Sequence, residues 1–340
     1  MVILGIETSC DETALSILKD NVILSDIVSS QYFHGLYGGV VPELASRAHL
    51  KIILSLYNEI LKKSKIRQSD IDVIAVTYGP GLIGAILVGL NFAKALAYSL
   101  KIPLISVNHI EAHLLSVYLE EKKPKLPFIG LVVSGGHTLL VLVQDIFKYK
   151  VLGCTKDDSA GEAYDKVAKM LGLSYPGGPI IDRLAKNGDP KFHKFPMPCK
   201  NSNDFSFSFS GLKTSILYYL RKLKQENPEI NFTSEPFVNN VCASFQESVI
   251  SVLSEKLIEA AKKYNIKNIA ITGGVSANSA LRDRLIHEAQ KNSLNLYIPS
   301  IKYSTDNASM IAMVGKFKYE SNLFSKLNIT ASPNLKLCEI

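Results

Sequence analysis

The hydrophobic and polar positions along the chain predict an α/β protein. Apolar, β-branched runs at residues 2–6, 14–18 and 22–28 are separated by polar residues, which predicts strands joined by tight turns. A long helix is expected after Pro42, because proline suits the first helical turn. Its apolar positions recur every three or four residues: Ala45, Ala48, Ile52, Leu56 and Ile60.

The second half repeats this order. Residues 129–133 and 139–143 read as strands around the polar turn 134–138, just as strand, polar turn and strand occupy residues 2–18. This weak internal repeat predicts two related α/β lobes, each offering a hairpin turn to a shared cleft. Lysine and proline together mark an exposed connector at residues 122–127. We therefore expect an N-terminal lobe at 1–122, a C-terminal lobe at 123–305, a closing helix at 306–320 and a tail at 321–340.

Composition narrows the class of protein. With 47% hydrophobic and 20% charged residues in 340, the chain is not disordered, and its net charge of +7 permits a phosphate-rich partner without requiring one. The five cysteines are scattered, with no CxxC pair, which is typical of free thiols in a reducing compartment. The N-terminus lacks the basic start of a signal peptide, and the longest apolar stretch falls short of the ~20 residues of a membrane span. These features predict a cytoplasmic protein without a membrane segment.

Three glycine- or hydroxyl-rich turns, at residues 8–11, 134–138 and 272–276, follow predicted strands. Each alone is more often a plain turn, but three together favour a nucleotide held between two lobes, because glycine lets backbone N–H groups approach phosphate. The P-loop and Rossmann glycine patterns are absent from the sequence. Asp11 and Glu12 would repel bare phosphate, so they suit a metal or a polar group of a substrate.

His109 and His113 stand four residues apart on a predicted helix, so both imidazoles lie on one face. Two separately hydrogen-bonded histidines are the alternative. The motif is not HExxH, and Glu111 points away from that face, so the base of a zinc protease is missing. Asp306 is a candidate third ligand, although it could instead cap the last helix. Two histidines and one carboxylate suit Fe(II) or Zn(II).

Residues 205–214 alternate aromatic and hydroxyl side chains before a lysine. The segment is either a strand edge or a loop with aromatic faces of the kind that holds single-stranded RNA bases. The structural alternative is favoured. Residues 175–179 form a rigid Pro-Gly turn ahead of a short helix that carries Asp182.

Motifs from about residue 2 to 320 resemble the bacterial tRNA N6-adenosine threonylcarbamoyltransferases, the TsaD/Kae1 family, formerly called O-sialoglycoprotein endopeptidases. They occur in order as GIETSCDET at 5–13, YGGVVPE at 37–43, NHIEAH at 108–113, VSGGHT at 133–138, YPGGP at 175–179, FSFSGLKT at 207–214 and GGVSAN at 273–278. The resemblance implies a two-lobed fold like that of actin, Hsp70 and sugar kinases, with a nucleotide and metal site in the interlobe cleft. It implies that His109, His113 and Asp306 hold one metal, with Fe(II) preferred and Zn(II) as the alternative. The nucleotide contacts it implies are Val132, Val133, Ser134, Gly135, Gly136, Asp165, Gly178, Asp182 and Asn278.

The resemblance further implies an acyltransferase of tRNA processing. Such an enzyme transfers threonylcarbamoyl from threonylcarbamoyl-AMP to N6 of the adenosine 3′ of the anticodon in tRNAs that read codons beginning with A. Asp11 or Glu12 would steer the amine or accept its proton. Threonylcarbamoyl-AMP or ATP would occupy the cleft, and the partners would be the tRNA anticodon stem-loop, a TsaB-like paralogue and a TsaE-like P-loop ATPase. A metal-dependent peptidase, an ATP-binding phosphotransferase of the same fold and a non-catalytic ATP-binding scaffold are the alternatives.

Overall fold

A computed structural model describes residues 1–197, 199 and 204–337, and the chain divides into two compact units. Unit 1 comprises Met1–Lys123 and the described part of Pro299–Ile340, and unit 2 comprises Pro124–Ile298. Residues 299–305 thus lie in unit 1, whereas the sequence analysis assigned them to the second lobe. They leave unit 2 because its last strand ends at Tyr297, and the backbone N–H of Ser300 then donates to Glu120 Oε1 at 2.7 Å.

Each unit contains a five-stranded mixed sheet. The strands of unit 1 are β1 (Val2–Glu7), β2 (Glu12–Lys19), β3 (Val22–Ser30), β4 (Val73–Gly79) and β5 (Leu104–Asn108). The strands of unit 2 are β6 (Phe128–Val133), β7 (Thr138–Asp145), β8 (Lys148–Cys154), β9 (Asn268–Thr272) and β10 (Asn295–Tyr297). The strand orders are β3-β2-β1-β4-β5 and β10-β9-β6-β7-β8.

The two sheets repeat one topology. In unit 1, β1 pairs antiparallel with β2 and parallel with β4, and in unit 2, β6 pairs antiparallel with β7 and parallel with β9. The predicted repeat of strand, turn and strand is therefore confirmed, and it extends to all five strands of each sheet. The α/β fold class predicted from the sequence is also confirmed. Parallel strands that share a sheet present their carboxyl ends, and the loops that follow, at one edge.

The helices connect and cover these strands. They are α1 (Pro42–Ser64), α2 (Ile83–Leu100), α3 (His109–Leu115), α4 (Ala160–Met170), α5 (Gly177–Ala185), α6 (Ser210–Glu226), α7 (Phe237–Lys263), α8 (Ser279–Lys291), α9 (Ile301–Ser304) and α10 (Ala308–Glu320). Among the described residues, α2 is long and apolar enough to cross a membrane by length and composition alone. In unit 1 its Leu90 and Ala93 belong to the same core as Ile74 and Val76 of β4, and the apolar core helix of a globular unit passes the same test.

The buried face of α1 agrees in part with the predicted one, since Ala45, Leu56 and Ile60 are buried as expected. His49, Ile53 and Tyr57 are buried, whereas Ala48 and Ile52 are only partly covered. A buried histidine is tolerated here because its ring nitrogens have partners: Thr13 Oγ1 lies 2.7 Å from His49 Nδ1, and the carbonyl of Cys10 lies 3.0 Å from Nε2. The predicted face omitted His49 because histidine was counted as a polar residue.

The aromatic side chains of residues 205–209 face the interior of unit 2. Phe205, Phe207 and Phe209 belong to its hydrophobic core. The backbone of Phe207 bridges the residues that follow β8, since its N–H donates to the Cys154 carbonyl at 3.0 Å and its carbonyl accepts from Lys156 at 2.9 Å. The structural interpretation is confirmed, with a single β-bridge at Phe207 and no strand over residues 205–209, and these rings are not available to stack on RNA bases.

Asp26 on β3 provides a pH-dependent test of the packing in unit 1. Burial raises the pKa of Asp26 from 3.8 to about 6, although Ser309 and Lys302 oppose the shift, and Oδ1 has no hydrogen-bond partner within the described residues. Because the folded chain holds this proton more tightly than the unfolded chain, ionisation costs stability. The cost is absent below pH 3.8, grows as the pH rises to about 6 and is complete above that value.

Asp26→Asn is therefore expected to raise the free energy of unfolding by about 2 kcal/mol at pH 8, a value reduced for the partial exposure of the side chain. At a pH near 3.8, the ordinary pKa of an aspartate, the substitution should change the free energy of unfolding little. Urea unfolding at both pH values measures the difference. An equal effect at both would show that the carboxyl is not destabilised by its surroundings.

Candidate metal centre and nucleotide-binding loops

The start of α3 sets the two candidate histidine ligands. Asn108 Oδ1 accepts hydrogen bonds from the backbone N–H groups of Ile110 (2.8 Å) and Glu111 (3.2 Å), which confirms the predicted N-cap. His109 and His113 follow one turn apart, with ring centroids 4.6 Å apart and planes at 85°. Both imidazoles are buried in unit 1.

Asp306 completes the cluster. Its Oδ1 lies 2.9 Å from His113 Nε2 and 3.6 Å from His109 Nε2. The alternative role for Asp306, capping the last helix, is wrong, because the side chain of Asn307 is the N-cap of α10 and accepts from the Met310 N–H at 2.9 Å. The structure thus brings together the three residues that the sequence singled out, His109, His113 and Asp306, and they could hold a metal ion.

The donor set fits a divalent first-row metal. Two imidazole nitrogens and a carboxylate oxygen are the ligands that iron and zinc bind in proteins. With metal–ligand bonds of about 2.0–2.2 Å, tetrahedral ligand atoms lie about 3.3 Å from one another. The two distances to Asp306 Oδ1, 2.9 and 3.6 Å, bracket that spacing. Three protein ligands leave coordination positions for a substrate atom or water.

Electrostatics at the cluster favour a cation. Burial alone would lower the pKa of His109, but the charges of Glu7 and Asp306 outweigh it and raise the pKa to about 9. The ring is therefore a cation at neutral pH in the metal-free chain. A metal ion would take the place of that proton, since ligation requires the neutral imidazole.

A buried carboxylate behind His109 was missed in the sequence. Glu7, at the end of β1, is fully buried, and its Oε2 lies 3.0 Å from His109 Nδ1. The same carboxylate accepts from the Thr77 hydroxyl at 2.6 Å and from the backbone N–H of Ser9 at 2.5 Å. The sequence signal was only an acid inside the 5–13 motif, about a hundred residues before the histidines.

A buried ion pair joins the two segments that carry the ligands. Glu111 lies on α3, away from the histidine face as the sequence predicts, and its Oε2 lies 3.1 Å from Lys318 Nζ on α10. Lys318 Nζ also donates to the carbonyl of Ser106 at 3.1 Å. Both charged side chains are buried, so the pair fixes α3 against the helix that follows Asp306.

Of the two predicted catalytic acids, Asp11 lies in the turn between β1 and β2 of unit 1, and Glu12 is the first residue of β2. Burial raises the pKa of Glu12 to about 10, with further contributions from the charges of Asp306 and Asp11. A cation held by Asp306 would oppose this shift, because it favours an ionised carboxyl nearby. The structure places these two acids close to the cluster of His109, His113 and Asp306. Their catalytic roles stay predictions.

In unit 2, glycines border open space at the predicted nucleotide loops. A Cβ added at Gly135, Gly136, Gly178 or Gly274 would meet nothing within 4 Å. The turn after β6 is nevertheless fixed, because the Ser134 N–H donates to the His137 carbonyl at 2.8 Å and the Ser159 hydroxyl donates to the Gly135 carbonyl. Fixed backbone beside open space is what a ligand phosphate needs.

The other predicted nucleotide contacts already have protein partners. Val132 and Val133 are buried in β6, so only their backbone could reach a ligand. Asp165 accepts from the Gly177 N–H at 2.7 Å, and Asp182 accepts from the hydroxyl and the N–H of Ser279, both at 3.1 Å.

Asn278 caps α8 through a hydrogen bond from the Leu281 N–H at 2.9 Å. Its Nδ2 donates to Gln246 Oε1 at 2.7 Å. Sequence reasoning missed Gln246, which lies in the middle of α7 and carries no local signal. All of these residues lie in unit 2, and their contacts with a nucleotide stay predictions.

Comparison with known proteins identifies the family. The model of the family described as "TsaD: tRNA N6-adenosine threonylcarbamoyltransferase" matches residues 22–313. A protein of that name from Riemerella anatipestifer is 48% identical over 99% of this chain and 98% of its own length. Homologues of the same name from Chlorobium phaeobacteroides strain BS1 (52% identical, 94% and 93% covered) and Clostridioides difficile strain 630 (49% identical, 99% and 98% covered) agree.

Solved structures support the fold alone, because their sequences are distant. Full-length HypF in its phosphate- and nucleotide-bound form has a TM-score of 0.61 at 15% identity, covering 95% of this chain and 47% of that one. The activator of 2-hydroxyisocaproyl-CoA dehydratase from Clostridium difficile, with bound ADPNP, has a TM-score of 0.54 at 12% identity, covering 97% and 100%. Both have the actin-like ATPase and kinase fold that the sequence predicts. The chain belongs to the TsaD family of tRNA N6-adenosine threonylcarbamoyltransferases.

Proposed function

We propose that this chain transfers the threonylcarbamoyl group of threonylcarbamoyl-AMP to N6 of the adenosine 3′ of the anticodon in tRNAs that read codons beginning with A. The observation that carries the proposal is the convergence of His109, His113 and Asp306 in a chain about half identical, over nearly its whole length, to proteins of that name. TsaD enzymes are metal-dependent, and this cluster is compatible with that property.

The reaction is acyl transfer from an activated carbonyl. The N6 amine attacks the carbamoyl carbonyl carbon, the bond from that carbon to the AMP phosphate oxygen breaks, and N6 gives up one proton. The amine is a poor nucleophile because its lone pair is shared with the adenine ring. Catalysis therefore depends on holding the two reactants together, which can supply roughly 7–11 kcal/mol, and on stabilising charge on the leaving group.

His109, His113 and Asp306 would hold the metal, with Fe(II) preferred and Zn(II) as the alternative. Such a metal, when bound, acts as a Lewis acid on a phosphoryl or carbonyl oxygen. The ion pair between Glu111 and Lys318 keeps the ligand-bearing segments in place. In this way the chain keeps its ligands arranged before the substrate arrives.

The loops of unit 2 would bind the adenylate. Backbone N–H groups of Gly135 and Gly136 would donate to its phosphate, an arrangement that acts as an oxyanion hole does in acyl transfer. Open space at these glycines and at Gly178 supports this role. ATP could occupy the same loops, because it presents the same adenine and phosphate groups.

Asp11 or Glu12 would orient the amine or accept its proton. The raised pKa of Glu12 favours Asp11 as the proton acceptor in the metal-free chain, because a carboxyl that already holds its proton cannot act as a base. Single-turnover transfer from preformed threonylcarbamoyl-AMP to tRNA tests the proposal directly. The expected products are AMP and modified adenosine, with slower transfer in Asp11→Ala or Glu12→Ala. Wild-type rates in both variants would remove the role of these acids, and no transfer by the complete assembly would overturn the proposed function.

Partners are part of this proposal. The tRNA anticodon stem-loop is the acceptor, and a net charge of +7 is small for a chain that binds tRNA alone. We propose that a TsaB-like paralogue and a TsaE-like P-loop ATPase complete the assembly in the cytoplasm.

The face offered to the paralogue lies on α1 and α2, which pack together near Ser46 and Gly84. Leu50 and Leu54 on α1, together with Ile83 on α2, are exposed apolar residues on these helices.

Leu54→Lys is expected to weaken binding of the paralogue at least tenfold, because a lysine would be desolvated in an apolar interface. Leu54 is 60% exposed in the chain alone, so the fold should be unaffected. Calorimetric titration of the paralogue measures the affinity. Tyr218→Lys, an equally exposed position on α6 of unit 2, is the matched control. Equal affinities of the two variants would place the dimer face elsewhere.

A further inference from the structure

We propose that Glu7 is a positioning residue for the metal: its buried carboxylate accepts the Nδ1 proton of His109 and so aims Nε2 of that ring at the ion. The inference rests on the metal-dependent function proposed above. It concerns a residue in the first strand that lies far from the ligands in sequence and contacts the ligand cluster through His109 without belonging to it.

The hydrogen bonds around Glu7 admit only an acceptor. The backbone N–H of Ser9 donates to Oε1 at 2.5 Å, the Thr77 hydroxyl donates to Oε2 at 2.6 Å, and His109 Nδ1 lies 3.0 Å from Oε2. The Ser9 hydroxyl also lies 3.2 Å from His109 Nδ1. An ionised carboxylate satisfies the three groups that contact Glu7 itself, because it accepts through both oxygens and donates through neither.

This arrangement fixes the tautomer of His109. A neutral imidazole carries one N–H, and the oxygen of Glu7 draws it to Nδ1. The lone pair then resides on Nε2, the atom that lies 3.6 Å from Asp306 Oδ1. Partners of this kind orient ligating histidines and increase their basicity, and their loss typically weakens metal binding 10- to 100-fold.

His113 lacks such support. Its Nε2 lies 2.9 Å from Asp306 Oδ1, but its Nδ1 is buried and has no hydrogen-bond partner among the described residues. The two ligands are therefore unequal. His109 is held by a carboxylate that is itself anchored to β1 and β4, whereas His113 is held by its helix and by Asp306. A change at Glu7 removes the only charged partner behind a ligating ring in the described part of the chain.

Glu7→Gln is the informative substitution because it keeps the shape and removes the charge. The amide oxygen can still accept from His109 and Thr77, which share Oε2 of Glu7, but the NH₂ group then faces the backbone N–H of Ser9, and two donors oppose each other. We expect the dissociation constant for Zn²⁺ or Co²⁺ to rise 10- to 100-fold. The ligand-field absorption of bound Co²⁺ should also change, because the ring is no longer held in one orientation.

Two hydroxyl deletions separate positioning from general packing. Thr77→Val removes one anchor of Glu7, and we expect about a threefold weaker metal affinity. Thr13→Val is the matched control, since it removes a buried hydroxyl that lies 2.7 Å from the imidazole of His49, which is not a ligand. We expect it to leave metal affinity unchanged. These variants keep the proposal testable even where Glu7→Gln fails to fold.

The measurement is titration of the purified full-length chain with Zn²⁺ or Co²⁺ alone, without tRNA or adenylate. Weaker binding and a changed Co²⁺ spectrum in Glu7→Gln, with Thr77→Val intermediate and Thr13→Val normal, support the positioning role. Affinities within threefold of wild type and an unchanged spectrum in Glu7→Gln would overturn it, as would equal losses in Thr77→Val and Thr13→Val. The readout is metal binding and not transfer. If the wild-type chain binds metal but transfers nothing, that result rejects only the proposed function.

Discussion

Asp306→Ala is expected to abolish tight metal binding and to slow threonylcarbamoyl transfer by at least about a hundredfold. Asp306 Oδ1 lies near both imidazoles and supplies the only negative charge among the three candidate ligands. A Lewis acid contributes several kcal/mol to charge stabilisation, and each 1.36 kcal/mol is a factor of ten in rate. Elemental analysis of the purified protein and single-turnover transfer measure the two effects.

Asp20→Ala is the matched control for this experiment. Asp20 lies in the same unit, is largely exposed and pairs with the N-terminal amine of Met1 at 2.8 Å. An exposed pair of this kind contributes little to stability, so the variant should bind metal and transfer at wild-type rates. Full activity of a metal-free Asp306→Ala protein would show that transfer does not require the ion. Loss of activity with the metal still bound would show that Asp306 is not a metal ligand.

Gly273→Ala should destabilise the protein by on the order of 3 kcal/mol. Gly273 has a φ of +87°, and a Cβ there would overlap the carbonyl group of Val133, lying 2.8 Å from its carbon. With a ψ of 165°, this backbone conformation is essentially restricted to glycine and costs an alanine on the order of 1–3 kcal/mol, and overpacking adds about 1–3 kcal/mol. The clash falls between the ends of β6 and β9, so the loops that follow both strands must move. Urea unfolding and nucleotide titration measure the consequences.

Gly274→Ala isolates the cause, because it changes the neighbouring residue by the same single methyl group. A Cβ at Gly274 meets nothing within 4 Å, so stability should stay within about 0.5 kcal/mol of wild type. Adenylate affinity should nevertheless fall if a ligand occupies that space. Equal unfolding midpoints for the two variants would mean that the junction of β6 and β9 is not as closely packed as described.

Local signals in the sequence were sufficient for most of the fold. The strands at 2–18 and 129–143 and the Asn108 cap follow from patterns within about ten residues, and the structure contains them. The buried face of α1 was predicted only in part, because His49 is buried against Thr13 and Cys10, which are distant partners that local periodicity does not include. Aromatic and hydroxyl side chains alternate in residues 205–209, and that pattern alone left two possibilities open. One of them was the observed pairing with the residues after β8.

The candidate site was harder to predict from the sequence than the fold was. Spacing placed His109 and His113 on one face, and Asp306, almost two hundred residues later, was a candidate third ligand or a helix cap. The resemblance to a family favoured the ligand role. Glu7 carried no signal of its own, since its partners Thr77 and His109 are distant in sequence and meet only when β1, β4 and α3 pack. Long-range side-chain networks of this kind depend on the tertiary fold, which local patterns do not encode.

Mass analysis of the nucleosides in tRNA from cells depleted of this protein tests the central claim most directly. We predict that N6-threonylcarbamoyladenosine disappears on depletion, returns with the wild-type chain and does not return with Asp306→Ala. Unchanged modification after complete depletion, or full restoration by the Asp306→Ala chain, would contradict the assignment of the reaction to this protein and its metal cluster.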